Sequence, residues 1–190
     1  MLEYSGYQNI ILLPDDCIAF TDDRIMIDLG GLAKGYIGDR LAKLLKEYGI
    51  KNATISLGGN IVALGSKYGK PFTVGVKKPF AAQNDISLTV NASDICVITS
   101  GTYERCFKKD GILYHHILDP ATGYPVATDI AGATVICPSS LMGDILSTEL
   151  LIEGSKEACE HAVKLREQGI YIILLDENGN VIIDTRAPNS

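Results

Sequence analysis

Two adjacent glycines limit the fold more than any other feature of the chain. In NATISLGGNIVALG, residues 52–65, two apolar runs of strand length meet at Gly58-Gly59. Glycine accepts the positive φ angles of a two-residue hairpin, so these runs must pair antiparallel. The same grammar recurs along the chain. YQNIILL, CIAF and RIMIDL, within residues 7–29, are separated by Pro-Asp-Asp and Thr-Asp-Asp turns. FTVGV, ISLTV, ICVIT, LYHHIL and AGATVIC continue the β pattern, and IYIILLDENGNVIID reads as a terminal hairpin.

Three stretches break from this period. Over residues 32–48, Leu32, Ala33, Tyr36, Ile37, Leu41, Leu44, Leu45 and Tyr48 fall on one helical stripe, with Gly49 as the stop. Residues 140–152 and 155–168 suit two more helices, with Ser155 as N-cap and Gly169 as stop of the second. No repeat or low-complexity linker divides the chain. The sequence therefore predicts an α+β fold, a mostly antiparallel sheet with about three helices, in a single domain over residues 1–190.

Charge and cysteine content narrow the function classes. The formal charge of -6 disfavours a general nucleic-acid binder, which should be basic. The five cysteines, Cys17, Cys96, Cys106, Cys137 and Cys159, form no C-x-x-C pair and no zinc pattern. They read as free buried thiols in a reduced compartment. MLEYSGYQNI carries neither a basic n-region nor an apolar h-region, so this chain reads as cytoplasmic.

Four stretches carry candidate chemistry. IDLGGLAKGY, residues 27–36, runs from an apolar segment through Gly30-Gly31 into a helix. Helix N-termini present free N–H groups to anions, and Lys34 adds positive charge, with Asp28 just before the turn. A plain strand-to-helix turn has the same look. TSGTYER, residues 99–105, places Ser100 and Gly101 after a strand, where they offer donors or simply make a polar turn. In GDILSTEL, residues 143–150, Asp144 and Thr148 stand i and i+4 on one helix face. Hard oxygen ligands of this kind suit Mg²⁺, although Thr148 can equally bond back to its own helix. In YHHILDPATGYPV, residues 114–126, His115 and His116 must point to opposite sides of an extended chain, and the Pro and Gly steps make a firm turn after them. A histidine there can shuttle a proton near neutral pH, or be a satisfied structural side chain.

Together, DLGGLAKGY, SLGGNIVALG, TSGTYER, HHILDPATGYPV and DILST, in this order and spacing, resemble the ApbE family of flavin transferases. The resemblance implies transfer of FMN from FAD to a Thr or Ser hydroxyl of an acceptor protein, with AMP released and Mg²⁺ required. It implies that Gly31, Asp144, Ser147 and Thr148 lie at the metal. Asp28, Lys34 and Leu118 should line the FAD site beside Ser100 and Gly101. His116 takes the place of the family's catalytic histidine and acts with Asp144; His115 has no such role. The implied partners are FAD and an acceptor flavoprotein subunit of a membrane electron-transport complex. Family members carry a further N-terminal part with an export signal, often a lipid anchor, and some of the flavin pocket. A missing N-terminal segment or a partner chain is therefore expected to complete this chain. Two alternatives stay open: an FAD pyrophosphatase that yields FMN and AMP, and a non-catalytic flavin-binding module.

Overall fold

The computed structural model describes residues 2–82 and 84–186. Its centre is a six-stranded, wholly antiparallel sheet. In chain order its strands are β3 (Ala53–Leu57), β4 (Asn60–Leu64), β7 (Ile95–Gly101), β10 (Gly132–Cys137), β11 (Tyr171–Leu175) and β12 (Val181–Asp184). They are arranged β12-β11-β10-β7-β4-β3. Three two-stranded hairpins stand apart from it: β1 (Ile10–Leu13) with β2 (Cys17–Phe20), β5 (Phe72–Lys77) with β6 (Ile86–Ala92), and β8 (Phe107–Lys109) with β9 (Ile112–Tyr114). The helices are α1 (Ala33–Glu47), α2 (Ser140–Glu153) and α3 (Ser155–Glu167). Gly58 and Gly59 both have positive φ, and Leu57 faces Asn60 across the hairpin they turn.

Alternation along the central strands sorts their side chains into two cores. Ala133, Val135, Ile172 and Leu174 point to the helical side and meet Leu146, Leu150 and Leu151 of α2 and Ala158, Ala162 and Leu165 of α3. Val62, Leu64, Cys96 and Ile98 meet Ala42 and Leu45 of α1 on that same side. Ala63, Val97, Ile136, Ile173 and Leu175 point the other way and are covered by Val76, Val90 and Ala92 of the β5–β6 hairpin. The result is three layers: helices, central sheet, hairpin.

Four expectations need correction. RIMIDL forms no strand. Asp22 accepts the Arg24 N–H, Asp28 accepts the Gly30 N–H, and these local turns take the place of a ladder. LYHHIL stops as a strand at Tyr114 and bends at His116; beyond the bend Leu118 pairs only with Pro125. Ser155 is the first residue of α3 rather than its cap, and Asp129 accepts both its N–H and its hydroxyl. The fourth concerns the face of α1. Leu32, Tyr36, Ile37, Leu44 and Tyr48 are exposed, and the buried line runs through Gly35 and Gly38 to half-buried Ala42 and Leu45. Small residues bury this helix because its backbone, rather than its large side chains, meets the neighbour. Of the cysteines, Cys96 and Cys137 are buried free thiols, pushed up to about 12 and about 11 by burial, whereas Cys17 is exposed.

Candidate active site

The glycine face of α1 crosses α2 at backbone contact. A Cβ on Gly35 would stand 2.6 Å from Leu141 Cα and from the Ser140 carbonyl; one on Gly38 would stand 2.7 Å from Ser140 Oγ. At this approach each helix seals the start of the other. Asp39 of α1 accepts the N–H groups of Ser140 (2.7 Å) and Leu141 (3.1 Å) and the Ser139 hydroxyl (2.8 Å). Asp144 of α2 accepts the Gly35 N–H at 2.8 Å, within the first turn of α1. Free N–H groups at a helix start need such acceptors, and a carboxylate there also meets the positive end of the helix dipole.

Asp144 is the centre of the site. It is 2% exposed, and Lys34 Nζ lies 3.2 Å from Oδ1 and 3.5 Å from Oδ2. The Lys34 side chain remains 42% exposed, so one end of this ion pair is dry and the other reaches solvent. One turn along α2, the hydroxyls of Ser147 (3.2 Å) and Thr148 (3.1 Å) donate to the Asp144 carbonyl. Ser100, near the end of β7, lies 2.8 Å from Ser147 Oγ and 3.3 Å from Thr148 Oγ1. Thus Lys34, Ser100, Asp144, Ser147 and Thr148 form one connected cluster. Gly31 joins it across a hollow of about 460 Å³ lined by Gly31, Leu32, Ile145, Thr148, Glu149, Ile152 and Glu153.

The remaining predicted residues stand outside this hydrogen-bonded cluster. Asp28 is exposed and tightens the glycine turn through the Gly30 N–H at 2.6 Å. Gly101 is buried beneath the Tyr103 ring, where any Cβ would collide with it. Leu118 is 52% exposed on the short bridge to Pro125. His116 is exposed, and its Nδ1 lies 3.1 Å from the carbonyl of Glu104, four residues past Ser100. The bend sends His115 the opposite way, into the protein, at 7% exposure. Burial pushes the His115 imidazole below its ordinary value; the Val126 backbone opposes this, and the His116 charge adds to it. Asp119 organises the turn after them: it accepts the Ala121 N–H and the Thr122 hydroxyl, and its carbonyl accepts the Gly123 N–H.

The donor set suits a hard divalent cation. Asp144 offers a carboxylate, Thr148 a hydroxyl and Gly31 an open backbone, where a Cβ would meet nothing within 4 Å. All are oxygen ligands of the kind Mg²⁺ accepts, with water and substrate phosphate completing the shell. Ser147, 0% exposed, faces Ser100; both it and Asp144 stand behind the hollow, whose wall takes Gly31 and Thr148 from this set. Asp39, Gly35 and Gly38 join the site although no motif marks them. The one visible signal was the glycine pair three apart inside a helical stretch, which lets two backbones meet.

Comparison with known proteins places the architecture among flavin transferases. The ApbE protein of Thermotoga maritima superposes with a TM-score of 0.83 at 31% identity, over 95% of this chain and 58% of that one. The flavin transferase ApbE of Vibrio cholerae gives 0.79 at 25% identity, over 95% and 56%. The ApbE family profile matches residues 1–174. An FAD:protein FMN transferase of Klebsiella pneumoniae (strain 342) is 41% identical over 181 residues, 94% of this chain and 54% of that protein. One from Treponema pallidum is 38% identical over 144 residues, 71% and 40%. The chain belongs to the ApbE family. It spans about half the length of the curated relatives it matches.

Proposed function

We propose that this chain carries the diphosphate- and metal-binding part of an FAD:protein FMN transferase. FMN passes from FAD to a Thr or Ser hydroxyl of an acceptor protein, and AMP leaves. The observation that carries the reading is the buried Asp144 carboxylate, paired with half-exposed Lys34 and set one turn before Thr148 at the hollow that Gly31 also lines. Asp144, Thr148 and the Gly31 carbonyl would hold Mg²⁺, with Ser147 behind them. When bound, the ion supplies neutralisation of charge on the diphosphate.

The chain's own groups divide the remaining work. Lys34 turns its ammonium to the diphosphate, and the fixed carboxylate beneath keeps that charge in place. Ser100 and the turn at Asp28 and Gly30-Gly31 shape the approach of the phosphates, with Leu118 and Gly101 at the margin of the FAD site. His116 Nδ1 can bond to a carbonyl only as a donor, so in the neutral ring Nε2 carries the lone pair. That nitrogen takes the proton of the acceptor hydroxyl as its oxygen attacks the FMN phosphorus. The P–O bond to AMP breaks in the same displacement. Exposure of His116 admits a protein hydroxyl, and equally admits water. Water as acceptor gives FMN and AMP, the second reading.

A flavoprotein subunit of a membrane electron-transport complex is the proposed acceptor. None of the helices among the described residues is long and apolar enough to cross a membrane. The test is incubation with FAD and Mg²⁺, with and without a threonine-bearing acceptor domain, followed by assay of AMP and covalent flavin. AMP that appears only with acceptor supports transfer, and AMP in both arms supports hydrolysis. FAD bound without AMP in either arm leaves a binding module and refutes both.

A further inference from the structure

Asn60 has no role in the reading above, yet it is the most conspicuous polar group in the interior. It is 1% exposed, and neither its amide oxygen nor its amide nitrogen has a hydrogen-bonding partner among the described residues. An unpaired amide in a dry interior costs on the order of 1–3 kcal/mol, so such a group calls for a partner.

Strand register sets which groups share its side of the sheet. Asn60 pairs with Ile98 across β4 and β7, and Thr99 donates its N–H to the Gly59 carbonyl one step on. The side chains of Asn60, Val62 and Leu64 therefore share the helical side of the sheet with Cys96, Ile98 and Ser100. Ser100 is the diagonal neighbour of Asn60 on that side. Such neighbours lie about 7 Å apart, a span an Asn amide and a Ser hydroxyl close through one buried water. Gly38 of α1 packs over Val62, and Leu45 packs in the cluster with Leu64. Moving from Leu64 to Asn60 thus leads toward the first turn of α1, where Gly35 meets Asp144.

Proton counting shows what the bond would do. Ser147 and Thr148 both spend their hydroxyl protons on the Asp144 carbonyl. Ser100 has one proton and two acceptors in reach, Ser147 at 2.8 Å and Thr148 at 3.3 Å. We propose that Asn60 is a positioning residue: through one buried water its amide donates to Ser100 Oγ and turns the Ser100 proton onto Ser147. The Thr148 oxygen then keeps its lone pairs free for a cation. This role rests on the metal reading given under Proposed function; the Asn60–Ser100 bond itself does not.

Two measurements on the whole chain test it, with Mn²⁺ as the probe ion because it takes hard oxygen ligands. First, the Asn60 side-chain NH₂ pair is assigned in ¹⁵N spectra of the wild type and of Ser100→Ala. The pair should shift in Ser100→Ala and be protected from solvent exchange. An unmoved pair overturns the proposal and requires no variant at Asn60. Second, Mn²⁺ affinity is read by calorimetry for the wild type and Asn60→Leu, alongside melting temperature. Asn60→Leu should bind Mn²⁺ about tenfold more weakly, the loss typical of groups that orient metal ligands. Its melting temperature should stay close to that of the wild type, because Leu fills a similar volume on the apolar face beside Val62 and Ile98. Equal Mn²⁺ affinity with only a changed melting temperature means a structural residue and overturns the role. A wild type that binds no Mn²⁺ defeats the metal reading itself, and the positioning role falls with it.

Discussion

The two poles of the candidate site are built by opposite means. At the α1–α2 crossing the Asp144 carboxylate is buried, and the Gly35 N–H and Lys34 bind it directly. At the His116 turn the imidazole is exposed, and its one described hydrogen bond runs to the Glu104 carbonyl. The contrast suits the work proposed for each. A group that concentrates charge on a diphosphate gains from a dry, preorganised setting, where electrostatics are strong and no reorganisation is needed. A group that takes a proton from another protein's hydroxyl must stay reachable.

Removing either pole tests this division. Asp144→Ala should lower FAD cleavage by about a thousandfold, the several kcal/mol that a bound metal supplies. His115→Ala should lose far less, and equal losses in the two variants would erase the distinction between the poles. Next comes Gly35→Ala, which drives a methyl into the backbone of α2 and should cost about 3 kcal/mol in denaturant unfolding. His116→Ala should reverse that pattern, losing about a hundredfold in transfer while the unfolding midpoint stays put. A large stability loss there would mean the turn is structural after all. Asp39→Ala, which leaves the Ser140 and Leu141 N–H groups without their acceptor at the start of α2, should cost about 1–2 kcal/mol with KM for FAD nearly unchanged.

The smallest effect is a pH slope. Burial holds the folded His115 below its ordinary value of 6.5, so the folded state favours neutral imidazole and the unfolded chain binds its proton first. Its contribution to stability is present above 6.5 and is lost as pH falls below it. Melting temperature measured across that value should therefore drop toward acid in the wild type. It should drop less steeply in His115→Phe.

Local chemistry made much of this legible. The Gly58-Gly59 hairpin, the helix stops at Gly49 and Gly169, and the Asp144–Thr148 face depend on contacts within a few residues, and all stand as expected. The misreadings share a different cause. RIMIDL has strand composition but no neighbouring strand to receive its ladder bonds. The outer stripe of α1 has core composition, yet two glycines chosen for backbone approach decided which side went in. Ser155 looked like a cap because Asp129, 26 residues upstream, was invisible as its acceptor. Lys34 and Ser100 were legible as residue types, but their meeting at Asp144 and Ser147 depends on chain separations of 110 and 47 residues.

The exchanged carboxylates of Asp39 and Asp144 have a consequence for assembly. α1 has no side-chain cap of its own, and the Ser139 hydroxyl that caps α2 is itself held by Asp39, so each boundary is completed only when the other helix is in place. The two should therefore appear and vanish together. The corner that joins Gly35, Lys34 and Asp144 is then completed in a single event, when the two helices meet.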